Sequence, residues 1–340
     1  MAIRARLHPL PLTLRAPFRL SRGSTSERRN VVCELADGAI VGRGEAAPIA
    51  RYGESADSAA AALAAMTADL VEPAAFAVEA ARLAVPGQRA AEAALDAALH
   101  DLAGRRLGIP VRELLSLPRR TLPPTSWTIG LDPIDEALAK VAAAGDYEVL
   151  KVKMGGPGDL ELVRAIRESA RQTIRVDANE GWSVDEAPAK LAALESLGVE
   201  FVEQPLAAGR LEETRTLRTR TRLMLIADED VHTADDVPRL AGAYDGVNVK
   251  LAKCGGLSGA LRLIATARAH GMKVLLGCMI ESSLGIAAAL AVAPLVDWID
   301  LDGHLLIADD PFAGIPFAGG RLAVPDGPGL GVEWRREVPA

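Results

Sequence analysis

Residues 148–182 read EVLKVKMGGPGDLELVRAIRESARQTIRVDANEGW, a run that contains two strand patterns with a helix-length segment between them. The β-branched stretch around Val149 predicts one strand, and a second such stretch ends at Asp177. Between them lies an amphipathic segment long enough for a helix. Because two parallel strands need a crossover of about this length, the run predicts one strand–helix unit of an α/β fold.

The same unit recurs along the chain from Pro124 onward. The eight candidate strands end near Ile129, Lys151, Asp177, Glu203, Asp228, Lys250, Gly277 and Asp300. From Lys151 onward, successive ends are 22 to 27 residues apart, which is the length of one strand and one helix. Eight such units predict an α/β fold of the (β/α)8 barrel type, a modified TIM barrel, which we assign to residues 116–318.

Residues 1–115 differ from the rest of the chain and predict an α+β capping domain. Asp37-Gly38 is a hairpin signal between two apolar runs. The strand-like stretches are 4–14 and 30–48, and the alanine-rich stretches with helical periodicity are 54–70 and 88–106. The turn-rich, strand-like segment 319–340 is expected to return to this cap.

The composition predicts a globular protein that acts on small molecules. Of 340 residues, 49% are hydrophobic, which is enough for a large core. The net charge is −7 without any basic tract, which argues against nucleic acid or an anionic membrane as partner. The three cysteines are far apart and lack metal-ligand spacing, as is typical of a reducing compartment. Because no export signal or membrane-spanning run is recognisable, we expect a cytoplasmic protein.

Three acids at successive predicted strand ends form a candidate metal site. Asp177, Glu203 and Asp228 lie one strand–helix unit apart, so their carboxylates can converge at one mouth of the barrel. A single aspartate at such a place is more often a helix cap, but three in successive units are hard to explain in that way. Oxygen ligands without histidine or cysteine suit Mg²⁺. We therefore predict a single Mg²⁺ per subunit at these acids.

Lysines flank the predicted metal site on both sides. Lys151 and Lys153 point to the same face of their strand, where each ammonium disfavours protonation of the other. Lys250 ends the strand after the three acids and lies across the mouth. A divalent ion can neutralise the charge that develops when a proton is removed next to a carboxylate, and a lysine of lowered pKa can remove that proton. The pattern indicates proton abstraction beside a carboxylate, although exposed lysines on an edge strand are the common alternative for a K-x-K pair.

The motifs resemble the enolase superfamily and, within it, the muconate-lactonising subgroup. KVK, DANEGW, VEQPL, ADED, NVKLAKCGGL, GCMIESSLG and VPDGPGLGV occur in the order and spacing of that family over essentially the whole chain. The resemblance implies that the three acids are Mg²⁺ ligands and that Lys153 and Lys250 form an acid/base pair on opposite faces of the substrate. The other implied roles are support of Lys153 and the bound carboxylate by Lys151, pairing of Glu229 with Lys250, and a place behind the metal ligands for Asn179.

The ends of the last two predicted strands reduce the number of reactions that fit the sequence. Sugar-acid dehydratases and relatives of mandelate racemase use a histidine at the seventh strand end, where this chain has LLGCMI. A lysine on each face leaves either a two-base proton transfer or a one-lysine lyase reaction. The sequence DWIDLDG places Asp300 and Asp302 on one side of the eighth strand without an evident cation partner, and a pair of exposed loop acids is the simple alternative. This D-x-D resembles the dipeptide epimerases, in which it holds the N-terminal ammonium of the dipeptide.

Two cap loops bear on the choice of substrate. Segments 16–28 and 48–56 resemble the corresponding loops of Ala-Glu epimerases. Arg22 and Arg19 in the first loop are candidates to bind a side-chain carboxylate, because guanidinium suits bidentate recognition, and simple surface exposure is the alternative for each. Arg51 and Tyr52 are the candidates in the second loop.

The resemblance as a whole implies a Mg²⁺-dependent dipeptide epimerase, an isomerase that inverts the α-carbon of the second residue of L-Ala-D/L-Glu from murein peptide breakdown. N-succinylamino acid racemisation, o-succinylbenzoate synthesis and muconate cycloisomerisation are the enzymatic alternatives. A non-catalytic binding protein is the alternative outside catalysis, but such a protein would have no need of both lysines and all three acids. The family also implies a homo-oligomer, and the specificity for the second residue stays open.

Overall fold

The computed structural model describes residues 3–20, 23–68, 70 and 76–335. Within them, a three-stranded antiparallel sheet with its helices packs against an eight-stranded parallel sheet with its helices. This arrangement confirms the predicted barrel-type α/β fold with an α+β cap. Among the helices so described, none is both long enough and apolar enough to cross a bilayer.

The cap begins with a meander of three strands, β1 (Arg4–Leu20), β2 (Gly23–Asp37) and β3 (Ile40–Ala46). Gly38 has a φ of 62° in the turn between β2 and β3, which confirms the predicted hairpin at Asp37-Gly38. The cap helices are α1 (Ala56–Thr67), α2 (Phe76–Leu83), α3 (Arg89–Leu107) and α4 (Val111–Leu114). Sequence periodicity predicted α1 and α3 to within three residues at each end but missed the shorter α2 and α4.

Helix α3 packs directly on β3 because two glycines leave room for its backbone. A Cβ atom at Gly42 would lie 2.4 Å from the carbonyl oxygen of Ala98, and one at Gly44 would lie 2.0 Å from that of Ala94. Side chains larger than hydrogen cannot be accommodated at such distances. The alanine-rich segment of α3 therefore lies against the sheet and is buried in the cap core.

Eight parallel strands follow, and their order in the sheet is their order in the sequence. They are β4 (Ser126–Ile129), β5 (Val149–Lys153), β6 (Thr173–Asp177), β7 (Phe201–Glu203), β8 (Met224–Ala227), β9 (Gly246–Val249), β10 (Lys273–Gly277) and β11 (Trp298–Asp300). The predicted end at Lys151 is too early, because β5 continues to Lys153. Asp228 and Lys250 each lie one residue beyond the last residue of their strand. All of these side chains nevertheless lie at the carboxyl-terminal mouth.

Helices separate the barrel strands. They are α5 (Ile134–Ala143), α6 (Asp159–Ser169), α7 (Ala187–Ser196), α8 (Leu211–Arg218), α9 (Val237–Leu240), α10 (Leu251–Cys254), α11 (Leu257–Ala269) and α12 (Ser283–Val292). Short 3-10 helices span Ala50–Tyr52, Ala234–Asp236, Ala293–Leu295 and Gly303–Leu306. The two-residue strands β12 (Phe312–Ala313), β13 (Phe317–Ala318), β14 (Arg321–Leu322) and β15 (Glu333–Trp334) form the C-terminal segment. Helix α12 is buried along its whole length, since it contacts both the barrel and the cap.

Side-chain hydrogen bonds join the first and last barrel strands. The Ser126 hydroxyl donates to Asp300, and the backbone N–H of Thr128 donates to Oδ2 of Asp302 at 2.9 Å. Both aspartates are therefore held at the mouth by β4, across the line where the barrel closes.

Glu45, near the end of β3, fastens the cap to the barrel. Its carboxylate accepts hydrogen bonds from the Ser282 N–H at 3.0 Å and the Gly285 N–H at 3.2 Å, where helix α12 begins. Carboxylates are stabilised at this end of a helix by its dipole. Asn30 of β2 donates to Glu45 at 2.7 Å and to the carbonyl oxygen of Ile280 at 3.0 Å. These contacts fix the inner face of β2 over the loop between β10 and α12.

Asp101 joins three segments that are distant in the sequence. Its buried carboxylate accepts hydrogen bonds from the backbone N–H of Arg43 at 2.8 Å, from Nε of Arg105 at 3.0 Å and from the backbone N–H of Leu330 at 2.7 Å. Helix α3, strand β3 and the C-terminal segment thus share one buried acceptor. This contact places the C-terminal segment against the cap.

We expect Asp101→Ala to lower the free energy of unfolding by about 2–4 kcal/mol, because it leaves buried N–H donors and a guanidinium without their acceptor. Urea unfolding followed by circular dichroism measures the change. Asp57→Ala, which removes an exposed carboxylate in the first turn of α1, is the control and should cost less than about 1 kcal/mol. Equal losses in the two variants would contradict the linking role of Asp101.

Candidate active site

Three acids from adjacent strands meet at the mouth of the barrel. Asp177 ends β6, Glu203 ends β7 and Asp228 follows β8. Each offers a carboxylate oxygen, and these oxygens lie within 4.8 Å of one another. All three side chains are buried. The convergence follows from the parallel register, in which Asp177 lies beside Glu203 across the β6–β7 pair.

The chemistry of these acids fits a divalent cation. Burial, together with the charge of Asp177, raises the pKa of Glu203 to about 7, so the free carboxylate of Glu203 is disfavoured without a positive partner. Buried charged side chains of both signs surround the triad. They include the lysines 151, 153, 250 and 253 and the acids Glu229, Asp300 and Asp302. A cluster of carboxylate oxygens without histidine or cysteine suits a hard divalent cation such as Mg²⁺.

Lys151 connects the metal-site acids with the eighth strand. Its buried ammonium lies 2.6 Å from Oδ2 of Asp300, 2.8 Å from Oε2 of Glu203 and 3.1 Å from Oδ2 of Asp177. Burial acts to lower the pKa of Lys151, but the three carboxylates outweigh it and hold the pKa well above its usual value. The expectation that a second ammonium together with a bound divalent ion lowers a lysine pKa at this site stays a prediction. Asp300 also has a cation partner, which the sequence did not reveal.

The two other predicted lysines contact the outer acids of the triad. Lys153 donates to Oδ2 of Asp177 at 2.7 Å, and Lys250 donates to Oδ2 of Asp228 at 2.8 Å. Burial opposes the charged form of Lys250, but the charges of Asp228 and Glu203 raise its pKa above the usual value. The lysines therefore stand at the two flanks of the acid cluster.

Two further polar residues hold the acids in place and were missed by the sequence reasoning. Lys253 donates to Oδ1 of Asp228 at 2.5 Å and to the Asp228 carbonyl oxygen at 2.6 Å. Asn248 donates from Nδ2 to Oε1 of Glu203 at 2.6 Å. Their spacing from Lys250 could have indicated both residues. Lys253 follows Lys250 by three residues at the start of a helix, and Asn248 precedes Lys250 by two residues on a strand.

Asn179 and Glu229 both lie beside the acid cluster. The backbone N–H of Asn179 donates to Oδ1 of Asp177 at 3.0 Å, and both Asn179 and Glu229 line the cavity above the acids. Asn179 has a φ of 44°, a conformation that costs a non-glycine residue free energy. The pairing of Glu229 with Lys250 stays a prediction.

The D-x-D pair presents two unequal carboxylates. Asp300 is bound by Lys151 and Ser126, whereas the described residues contribute no ion pair to Asp302, which accepts the Thr128 N–H. Burial and the nearby charge of Asp300 raise the pKa of Asp302 to about 6. Asp302 lines the cavity and, among the residues that the structure describes, is the acid of this pair without an ion-pair partner.

A cavity of about 430 Å³ lies between the barrel mouth and the cap, a size typical of small-molecule sites. Tyr52 lines it, with its ring 4.7 Å from that of His232. Arg51 also lines it and pairs with Glu180 at 2.5 Å, which pins the second cap loop to the loop after β6. Arg28 of β2 is a further lining residue that the sequence reasoning missed.

The prediction for Arg19 is corrected by the structure. Its guanidinium is bound by Asp132 at 2.6 Å and by Glu136 at 3.0 Å, at the start of α5, and it is not among the described residues that line the cavity. Arg19 therefore anchors the first cap loop to the barrel. Arg22, the other candidate of that loop, lies outside the described residues.

Two family models match the chain. "Mandelate racemase / muconate lactonizing enzyme, N-terminal domain" covers residues 2–116, and "Enolase C-terminal domain-like" covers residues 134–338.

Individual relatives agree with these matches. The chain is 40% identical over 249 residues to the L-Ala-D/L-Glu epimerase of Bacteroides thetaiotaomicron, a match that covers 73% of this chain and 65% of that protein. It is 36% identical over 334 residues to the hydrophobic dipeptide epimerase of Roseobacter litoralis, covering 95% of this chain and 97% of that protein. The crystal structure of the dipeptide epimerase from Cytophaga hutchinsonii, complexed with Mg and D-Ala-L-Val, matches with a TM-score of 0.94 and 30% identity over 99% of this chain and 97% of that one.

The relatives, together with the fold, define an enzyme of the racemase and epimerase type. The chain belongs to the enolase superfamily, in its mandelate racemase/muconate lactonizing branch. The prediction of Mg²⁺ as the cofactor is confirmed, since the Cytophaga relative is complexed with Mg and the buried triad of Asp177, Glu203 and Asp228 could hold such an ion. The assignment of these three acids as its ligands stays a prediction.

We expect Mg²⁺ to raise the melting temperature of the protein, because binding at 100 times its Kd adds about 2.7 kcal/mol to the stability of the folded state. Glu203→Gln should abolish this shift, since it removes the charge of the central ligand. Differential scanning calorimetry with and without Mg²⁺ measures the effect, and Glu212→Gln on the exposed face of α8 is the matched control. A full Mg²⁺ shift in Glu203→Gln would exclude the triad as the metal site.

Proposed function

We propose that the protein is a Mg²⁺-dependent dipeptide epimerase that inverts the α-carbon of the second residue by two-lysine proton transfer, with L-Ala-D/L-Glu as its substrate. The observation that carries this proposal is the position of the two lysines. Lys153 stands on β5, immediately before the three acid-bearing strands, and Lys250 stands after β9, immediately beyond them. A carboxylate bound at the triad would therefore have an amine on each side of its α-carbon.

The positions of the lysines and of the metal site suggest a role for each of them. When bound, the divalent ion supplies neutralisation of the negative charge that develops on the substrate carboxylate as the α-proton leaves. One lysine, in its neutral form, accepts the α-proton at its Nζ, and the ammonium of the other donates a proton to the opposite face. Lys151 keeps its proton because three carboxylates surround it, so it serves as a fixed positive charge beside the substrate carboxylate.

The end of the eighth strand favours a substrate that carries a free amine, as a dipeptide does. Asp302 lines the cavity and lacks a cation among the described residues, while its neighbour Asp300 is neutralised by Lys151. An ammonium at Asp302 would supply the missing partner for a buried carboxylate. An N-succinyl substrate has no such group, so this feature favours a free-amine dipeptide over an N-acylamino acid.

The first test is α-proton exchange in D₂O with Mg²⁺, read by mass spectrometry over a library of L,L-dipeptides and N-succinyl amino acids. Each substrate gains about one mass unit per exchanged α-carbon. We expect L-Ala-L-Glu to exchange fastest. Exchange concentrated on another dipeptide would change the proposed substrate but leave the proposed mechanism intact. The hydrophobic dipeptide epimerase of Roseobacter litoralis is a relative named for such a substrate. Exchange confined to N-succinyl amino acids would reject the proposed ammonium site and the epimerase assignment.

We expect Lys153→Ala and Lys250→Ala each to reduce epimerisation by at least about 100-fold, because each removes one of the two proton carriers. Each variant should still exchange the α-proton of one stereoisomer, the one whose proton faces the remaining lysine. NMR in D₂O, with L-Ala-L-Glu and L-Ala-D-Glu assayed separately, distinguishes these activities. Lys273→Ala, at the opposite end of the barrel and half-exposed, is the matched control. Loss of exchange with both isomers in both variants would argue against one lysine acting on each face.

A further inference from the structure

The two proposed proton carriers are held in place by different means. Lys153 is the last residue of β5 and is paired across the sheet with Asp177 of β6. Lys250 lies one residue beyond β9 and immediately precedes the single turn of α10. Its carbonyl oxygen accepts hydrogen bonds from the backbone N–H groups of Lys253 at 3.0 Å and Cys254 at 3.2 Å. Strand pairing therefore fixes the backbone of Lys153, whereas the backbone of Lys250 depends on where α10 lies.

Helix α11 packs closely against α10. A Cβ atom at Gly259 of α11 would lie 1.8 Å from the carbonyl oxygen of Cys254, so a residue larger than glycine would force the two helices apart. Gly255 and Gly256, with φ values of 81° and 93°, turn the chain between the two helices. Because the connection is this short and close, a shift of the start of α11 would move α10 as well.

The cap supplies the N-terminal hydrogen-bond acceptor of α11. The residue before this helix is Gly256, which has no side chain to accept hydrogen bonds from the first turn. Asp96 of cap helix α3 provides the acceptors instead. Its Oδ2 accepts the Ser258 backbone N–H at 3.1 Å, and its Oδ1 accepts the Ser258 hydroxyl at 2.5 Å. Asp96 is fully buried, and a carboxylate at this end of a helix is favoured by the unpaired N–H groups and by the helix dipole.

The acids of α3 lie directly against the loop between α10 and α11. A Cβ atom at Gly256 would lie 2.6 Å from Oδ2 of Asp96. One at Gly255 would lie 2.6 Å from the carboxyl carbon of Glu92, in the preceding turn of α3. A continuous set of contacts therefore runs from cap helix α3 through the start of α11 and the turn of α10 to Lys250.

We propose that Asp96 is a positioning residue for Lys250: it fixes the turn of α10 from the cap and so sets the geometry of proton transfer on one face of the substrate. This inference rests on the proposed two-lysine epimerase function. Because Lys153 is held by strand pairing, the loss of Asp96 should act on Lys250 and spare Lys153.

The test measures α-proton exchange of L-Ala-L-Glu and L-Ala-D-Glu separately, in D₂O with Mg²⁺. The isomer that Lys153→Ala still exchanges is the one whose α-proton faces Lys250. Asp96→Ala should lower the exchange rate of that isomer by about 30-fold and that of the other isomer by less than about 3-fold, because a displacement of about 1 Å between reacting groups costs about 100-fold in rate. Asp96→Asn, which keeps an acceptor for Ser258, should retain most of the wild-type rate with both isomers.

Asp101→Ala is the matched control for a loss of stability. Asp101 is a buried carboxylate on the same helix, but it accepts hydrogen bonds from Arg43 and Leu330 and not from the α10–α11 loop. Its loss should lower both exchange rates by the same factor. Ser258→Ala is a milder variant that keeps the backbone hydrogen bond to Asp96. It should shift the ratio of the two rates in the direction of Asp96→Ala by about 3-fold, even if Asp96→Ala does not fold.

Equal losses for the two isomers in Asp96→Ala would reveal a merely structural role and overturn the proposal, while exchange of both isomers by the wild type would leave the epimerase function intact. A wild type that exchanges one isomer or neither would contradict the two-lysine function instead, and amide hydrogen exchange over residues 251–258 then tests the positioning role without turnover. Faster amide exchange there in Asp96→Ala than in Asp101→Ala would support it, and equal exchange would reject it.

Discussion

The structure depends on the mutual compensation of buried acids and buried lysines at one end of the barrel. Carboxylates and ammonium groups lie there largely out of contact with water, where an unpaired charge is costly. Lys151 contacts acids from three different strands. Lys253 donates to Oδ1 of Asp228, and Lys250 donates to Oδ2 of the same carboxylate. Removing any one charge changes the environment of several others. The three acids of the triad and the lysines therefore form one electrostatic unit, and the triad could hold a divalent ion within it.

The barrel holds this unit in place with backbone conformations that are unfavourable for non-glycine residues. Asn179, Glu180 and Gln204 follow the acid-bearing strands β6 and β7 with φ values of 44°, 65° and 37°. Such backbone conformations cost non-glycine residues about 1–3 kcal/mol each. Local hydrogen bonds maintain them, including one of 2.9 Å from the Glu180 N–H to the Gln204 carbonyl oxygen and one of 2.9 Å from Nε2 of Gln204 to Asp230. The strain lies next to the triad, where it turns the chain sharply after two of the three acids, Asp177 and Glu203.

The barrel and the cap contribute different parts of the site. The acids and lysines come from the barrel strands and their ends, whose positions are set by parallel pairing. The other wall comes from the cap, which is fixed by Glu45 at the start of α12 and pinned at its two loops by Arg19 and Arg51. Cap side chains that line the cavity can therefore change without disturbing the acid–lysine cluster. This separation offers a physical reason why relatives with one fold are named for different dipeptides.

The sequence by itself determined the features that repeat at short range. Regular spacing of β-branched runs gave the eight strands, and the strand ends gave the triad, Lys153 and Lys250, because parallel pairing brings equivalent ends to one mouth. Only the tertiary structure decided which charges pair. Lys151 reaches Asp300 across 149 residues, and Arg19 reaches Asp132 across 113, a contact that takes it away from the cavity. Periodicity determines which face of a strand a side chain occupies, but the partner on that face depends on how distant segments pack, and no local pattern encodes that choice.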